Sequence, residues 1–211
     1  SQIMAAAAAC NVGRLSSQKT AIFLCDMQDK FRNTIRYFPE IVSVSQRLLK
    51  AGKSLDMPVI VTEQYPKGLG RTVPELGLSA YPDLCPVEKT QFSMVTSDVA
   101  QRLTDTKADS VVLCGVETHV CVQNTALALL EKGFNVHVVV DACSSRTMVD
   151  RYPRFASSYG TIMEVFSVAS GTLHSQLKGT HSKNNGGLQT DSKDHKLKET
   201  RTEHTRGQSE I

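Results

Sequence analysis

The chain of 211 residues has no tryptophan, no Cys-x-x-Cys pair and no apolar run of membrane-spanning length. A transmembrane helix needs about 20 consecutive apolar residues, so none is expected. The six cysteines stand apart at positions 10, 25, 85, 114, 121 and 143. Cys25, Cys114 and Cys143 fall inside or at the end of apolar runs, where a reduced core thiol is the expected state. No secretory signal is read, so the expectation is a reducing compartment: the cytoplasm, with mitochondrion or nucleus as alternatives. The histidines (119, 137, 174, 181, 195, 204) offer no pairing at metal-ligand spacing, and no Asp-x-His follows the second strand. No metal and no cofactor are therefore expected. Charge of one sign is also lacking. A net charge of +3, with acids and bases interspersed, makes no electrostatic case for nucleic acid or a membrane surface. No acidic residue precedes Asp26. Residues 1–18 read as a flexible terminus, with a short mitochondrial targeting segment as the alternative.

What is present is enough apolar sequence, 40% of residues, for one α/β domain. Ser110 to Gly115 is a β-branched apolar run that reads as a buried strand, and Ala126, Leu127, Leu129 and Leu130 follow at helical spacing. The turn Gly115-Val116-Glu117-Thr118-His119-Val120-Cys121 puts Cys121 near the first turn of that helix. Unpaired N–H groups there favour a thiolate. The plain alternative for Cys121 is a small buried apolar residue.

The rest of the chain supports a repeated strand–helix order. Thr20 to Cys25 is a first strand ending at Asp26, a residue placed either for catalysis or as a helix cap. Pro39 to Leu55 carries an amphipathic helix, and Pro58 to Thr62 a second strand. Glu63 to Leu78 has no periodicity and reads as a long functional loop. Val87 to Ser93 is a short extended piece carrying Lys89, ordinarily a solvated charge. A short helix at 95–104, the strand at 110–115, the helix at 120–132 and a strand from Val136 to Val140 follow. This order predicts an α/β, three-layer αβα fold with a mostly parallel sheet. Asp26, Lys89 and Cys121 would then meet at the carboxyl edge of the strands. There Asp26 could take the thiol proton and Lys89 could hold both charges. Backbone amides of the Glu117–Cys121 turn, with Glu117, Val120 and Cys121 as candidates, could receive an oxyanion.

Three motifs carry a resemblance: Asp26-Met27-Gln28, Glu88-Lys89-Thr90-Gln91-Phe92-Ser93, and Gly115 to Val122. Together they resemble the isochorismatase-like cysteine hydrolase family. Thr62 to Gly70 and Asp141 to Arg146 are similar to the animal isochorismatase domain-containing proteins, the second group rather than the first. The resemblance implies a sheet of order 3-2-1-4-5-6, an Asp26–Lys89–Cys121 triad and a cis peptide at Val116–Glu117. It also implies a small-molecule substrate and a homo-oligomer. Gln28, Phe31, Tyr65, Phe92 and Thr118 are candidates for substrate binding. The metal-binding Asp-x-His segment of the nicotinamidase branch is missing, which turns the expectation away from nicotinamide.

The resemblance stops near Asp150, where Pro153 interrupts a helix begun at Thr147. Thr161 to Ala169 could supply an edge strand, but the strand and the last helix are expected to be altered or missing. Residues 171–211 are expected to be a disordered polar tail behind a domain spanning 19–170. An alternative exon or a frame change near residue 150 would produce such a shift. The resulting function is a metal-independent cysteine hydrolase of a small amide or related carbonyl compound. The alternatives are a catalytically weak or inactive family member that binds protein partners, and a redox-responsive thiol at Cys121.

Overall fold

The computed structural model describes residues 15–151, 165–168, 170–173, 175 and 177. The elements are β1 (Thr20–Cys25), α1 (Phe38–Ser54), β2 (Val59–Gln64), α2 (Pro66–Leu69), β3 (Val87–Lys89) and α3 (Ser97–Thr104). After them come β4 (Ser110–Val116), a π-turn (Thr118–Val122), α4 (Gln123–Glu131), β5 (Asn135–Ser144), α5 (Met148–Arg151) and β6 (Val165–Val168). The six strands form one sheet of order β3-β2-β1-β4-β5-β6, and every pairing is parallel. Every residue of the central strands β1 and β4 is buried. That is the signature of a sheet with both faces covered, and it explains why their sequences are continuous apolar runs rather than alternating ones.

The edge strand that Thr161 to Ala169 could supply is present: β6 pairs with the outer edge of β5, Val136 opposite Val165 and Val139 opposite Val168. Three other expectations need correction. A helical stretch follows β6. Residues 170–173, 175 and 177 are helical, and Leu173 and Leu177 are buried in the core. Two leucines four apart make a one-sided apolar contact that average composition cannot reveal. Ser170 secures the start of this stretch, donating from its N–H (3.0 Å) and its hydroxyl (2.7 Å) to the Asp141 carboxylate. β5 also runs on to Ser144 instead of stopping at Val140. Its register against β4 slips between Leu113 and Gly115: Val139 to Ala142 stand opposite Cys114 alone before pairing resumes at Cys143. At the other end, Leu15 and Ser17 are buried, so packing begins before the expected boundary at residue 19. The rest of the expected tail and residues 1–14 lie outside the described residues.

The stretch 63–78 is not a free loop but a pinned strap. The Gln28 side-chain amide donates to the carbonyls of Gln64 (2.9 Å) and Gly70 (2.7 Å) and accepts from Gln64 N–H (2.7 Å). Buried Glu63 accepts from the N–H (2.6 Å) and hydroxyl (2.7 Å) of Thr72, and Arg71 bridges it to Glu88. Burial alone would raise the Glu63 carboxyl, but the Thr72 and Arg71 hydrogen bonds outweigh it and hold the group below its ordinary value. As pH falls, the unfolded chain takes up this proton near pH 4.3, before the folded one does. The contribution of Glu63 is therefore present above that pH and lost below it. Thermal melts from pH 6 to pH 3 should show a falling midpoint in the wild type and a flatter profile in Glu63→Gln.

β1 and β4 are pressed together where they end. Gly115 lies opposite Cys25 with φ of 123°, and a Cβ there would strike the Cys25 carbonyl and come within 2.8 Å of the Cys25 Cβ. Gly115→Ala should cost about 3 kcal/mol or more, a fall in melting temperature of roughly 6–12 °C. A midpoint within 2 °C of wild type would refute this close approach.

Candidate active site

The parallel sheet brings the carboxyl ends of β1, β3 and β4 to one edge, and each end delivers one candidate side chain. Asp26 follows β1 in a left-handed conformation (φ 49°), Lys89 ends β3, and Cys121 sits in the π-turn after β4. π-turns concentrate at functional sites because they re-aim side chains at a helix start. Asp26 is fully buried and Lys89 nearly so, and they form an ion pair of 2.6 Å. The Thr62 hydroxyl donates to the other Asp26 oxygen at 2.7 Å.

Lys89 has more acceptors than it has protons. Besides Asp26, its ammonium reaches Gln64 Oε1 (2.7 Å), the Phe92 carbonyl (3.0 Å) and the Gln91 carbonyl (3.2 Å). Three N–H groups facing four acceptors leave none over for a substrate. The role open to Lys89 is to hold charge and to fix the Asp26 carboxylate. Burial alone would lower the Lys89 ammonium, but the charges of Cys25, Asp26 and Cys121 and the Asp26 hydrogen bond raise it above its ordinary value.

Cys121 is 7% exposed and lies within electrostatic reach of Lys89. Its carbonyl accepts from the Thr125 hydroxyl (2.6 Å), which in turn accepts from Met94 N–H (2.9 Å). This relay ties the Cys121 turn to the loop whose carbonyls hold Lys89. The Val116–Glu117 peptide is cis. His119, two residues before Cys121, meets Ser145 Oγ through Nδ1 at 3.0 Å, and that hydroxyl donates onward to the Asp150 carbonyl.

The other candidates separate by their surroundings. Gln28 is fully buried with its amide used by the strap, so its place is structural. Val120 N–H donates to the Glu117 carbonyl (3.1 Å), because the turn closes on its own start. It is therefore not available to an oxyanion. Phe31 belongs to the core cluster. Tyr65 and Phe92 are exposed, and Tyr65 lines a cavity of about 460 Å³ together with Lys67, Glu88, Lys89, Gln91 and Asp98. Thr118 Oγ1 and Glu117 Oε2 are buried without a hydrogen-bond partner among the described residues, while Glu117 Oε1 meets Arg146 at 3.3 Å.

Sequence reasoning missed Thr62, Gln64 and Cys25. The first two stand on β2 beside β1 and β3, with Thr62 opposite Cys25 and Gln64 opposite Lys89. The carboxyl-edge rule that picks out Asp26 would have found them once β2 was extended to residue 64. Cys25 was read only as a core thiol. It is buried, with Cys121 and Asp26 within electrostatic reach. Burial first, then the neighbouring Cys121 thiol and the Asp26 charge, push the Cys25 thiol well above its ordinary value.

Comparison with known proteins agrees with this architecture. The model of the isochorismatase domain matches residues 20–163. Isochorismatase domain-containing protein 2 of Xenopus laevis is 57% identical over 141 residues, 66% of this chain and 67% of that one. Its Homo sapiens namesake is 53% identical over 183 residues, 82% of this chain and 86% of that one. The structure of MAR1 ribonuclease from Caenorhabditis elegans superposes with a TM-score of 0.71 at 40% identity, covering 85% of this chain and 99% of that chain. The chain belongs to the isochorismatase-like hydrolase family.

Proposed function

We propose that this protein is a cysteine hydrolase of small amides or related carbonyl compounds, with Cys121 as nucleophile, Asp26 as proton acceptor and donor, and Lys89 as the fixed counter-charge. The observation that carries the reading is the buried Lys89–Asp26 pair, whose ammonium has no proton to spare, set beside a nearly buried thiol. A carboxylate oxygen has two acceptor sites, so Asp26 can hold Thr62 and Lys89 and still take a further proton. The thiol proton passes to Asp26 as sulfur bonds to the substrate carbonyl carbon. The carbonyl electron pair moves to oxygen, where the amides of Glu117 and Cys121 are the proposed donors. Collapse breaks the C–N bond, and Asp26 returns the proton to the leaving nitrogen. Water then attacks the thioester, Asp26 taking its proton, and the acid and free thiol are released. His119 is held against Ser145, so a Cys–His pair is the weaker arrangement.

The resemblance to a nematode ribonuclease places single-stranded RNA in the same assay. Purified protein should release ammonia from at least one member of a panel of primary amides and N-carbamoyl compounds. Iodoacetamide should modify Cys121 ahead of the exposed Cys85 at neutral pH. Equal labelling of all cysteines with no amide turnover would overturn the reading. RNA cleavage that persists in Cys121→Ser would replace it with one that does not use the thiol.

A further inference from the structure

A second cavity, of about 420 Å³, opens between α1 and the helical stretch that carries Leu173 and Leu177. Buried Ile22 of β1 lines its depth, Leu48 and Ala51 of α1 one wall, and the two leucines the other. An apolar gap of this size forfeits contacts that its own walls could make, and cavities in this range hold small molecules. It lies away from the candidate active site, since none of Asp26, Lys89 and Cys121 lines it. Its rim carries charge of one sign. Arg47 and Lys50, three apart and so on one face of α1, line the cavity from exposed positions. Among the described residues Arg47 has no polar partner, and Lys50 has only the uncharged Gln46 Oε1 at 3.4 Å. No acidic side chain lines the cavity among the described residues. Asp141, which reaches the lining residue Ser170, is held there by that residue's N–H and hydroxyl.

We propose that this cavity binds a free straight-chain alkyl carboxylate, with its chain along Ile22, Leu48, Leu173 and Leu177 and its head at Arg47 and Lys50. The apolar walls select the chain, and two cations with no acid beside them select an anionic head. The planar Arg47 fork matches a carboxylate with two parallel hydrogen bonds, and Lys50 adds a point charge. The free acid fits better than a bilayer. Membrane contact needs apolar surface around the mouth, whereas Thr172 and Ser175, exposed on the stretch, are polar. A bound chain would fill the seam between α1 and the stretch and tie the two together. Because only the folded chain has this seam, a hundredfold excess over Kd should raise the melting temperature by about 5 °C. The inference goes beyond the amide reading and holds whether or not amides are turned over.

The test is isothermal titration of the full chain with hexanoate, octanoate and decanoate below their micelle thresholds, and with decanol as the uncharged match. Decanoate should bind tightest, with affinity rising about fourfold per methylene buried. Gly171 lines the cavity, and a Cβ there meets nothing within 4 Å, so Gly171→Leu should fold, fill the space and weaken decanoate at least tenfold. Arg47→Gln combined with Lys50→Gln alters only exposed side chains. It should weaken decanoate about fivefold and leave decanol unchanged. No saturable binding, an affinity indifferent to chain length, decanol as tight as decanoate, or full binding in folded Gly171→Leu would each overturn the proposal. Sedimentation with phosphatidylglycerol vesicles by a protein that ignores decanoate would assign this face to a membrane and overturn it equally. The chain-length series and the charge variant decide the matter if Gly171→Leu folds poorly.

Discussion

Cys121→Ser should remain folded and lose amide turnover by about a thousandfold or more. The substitution changes one atom and keeps a hydrogen-bonding group beside Cys25, so its melting temperature should stay within about 2 °C of wild type, as small isosteric changes usually do. The chemistry changes far more. A hydroxyl is a much weaker acid than a thiol, and the strong base that serine nucleophiles use is missing from this arrangement. His119 is engaged with Ser145, and Asp26 already balances Lys89 and accepts from Thr62. Asp26→Asn should cost a similar factor, since its amide cannot take the thiol proton. If the two residues act as a unit, the double variant will be no slower than the worse single one, the non-additivity expected of a shared step. A Cys121→Ser protein within tenfold of wild type would remove Cys121 from the reaction, and a double variant that multiplies the two losses would show that the two residues share no step.

The sheet was legible because its central strands are buried on both faces and so are written as unbroken apolar runs, Thr20 to Cys25 and Ser110 to Val116. The placement of Asp26, Lys89 and Cys121 at one sheet edge was legible because parallel crossovers send every strand's carboxyl end there, however far apart those residues lie in sequence. What sequence could not show was direction and occupancy. Gln28 lies in the motif beside Asp26, but only in the folded chain does its amide face the strap. Val120 lies in the Cys121 turn, but its N–H closes that turn. Cys25 was hidden because a thiol in an apolar run looks like any small core residue. Leu173 and Leu177 were hidden for the converse reason: a polar stretch can contribute two residues to a core and remain polar on average.

Lys89→Met should be the most destabilising change in the site that leaves the backbone unaltered. It removes one partner of a buried ion pair, leaves the Asp26 charge unpaired and strips the Gln91 and Phe92 carbonyls and Gln64 Oε1 of their donor. Breaking such a pair from one side typically costs about 3–5 kcal/mol, or roughly 10 °C in melting temperature for a domain of this size. Removing both charges should cost less than removing one, because no buried ion is left alone. Lys89→Met combined with Asp26→Leu should therefore melt above Lys89→Met, while turnover is lost in both. The pH profile separates charge from packing. The Lys89 ammonium is held above its ordinary value, so its contribution is fully present below about pH 10.4 and is lost as pH rises through the folded-state value. The gap between wild type and Lys89→Met should be constant near neutrality and close in alkali. A loss due only to missing side-chain volume would leave the same gap at every pH, and that outcome would leave Asp26 without its proposed counter-charge.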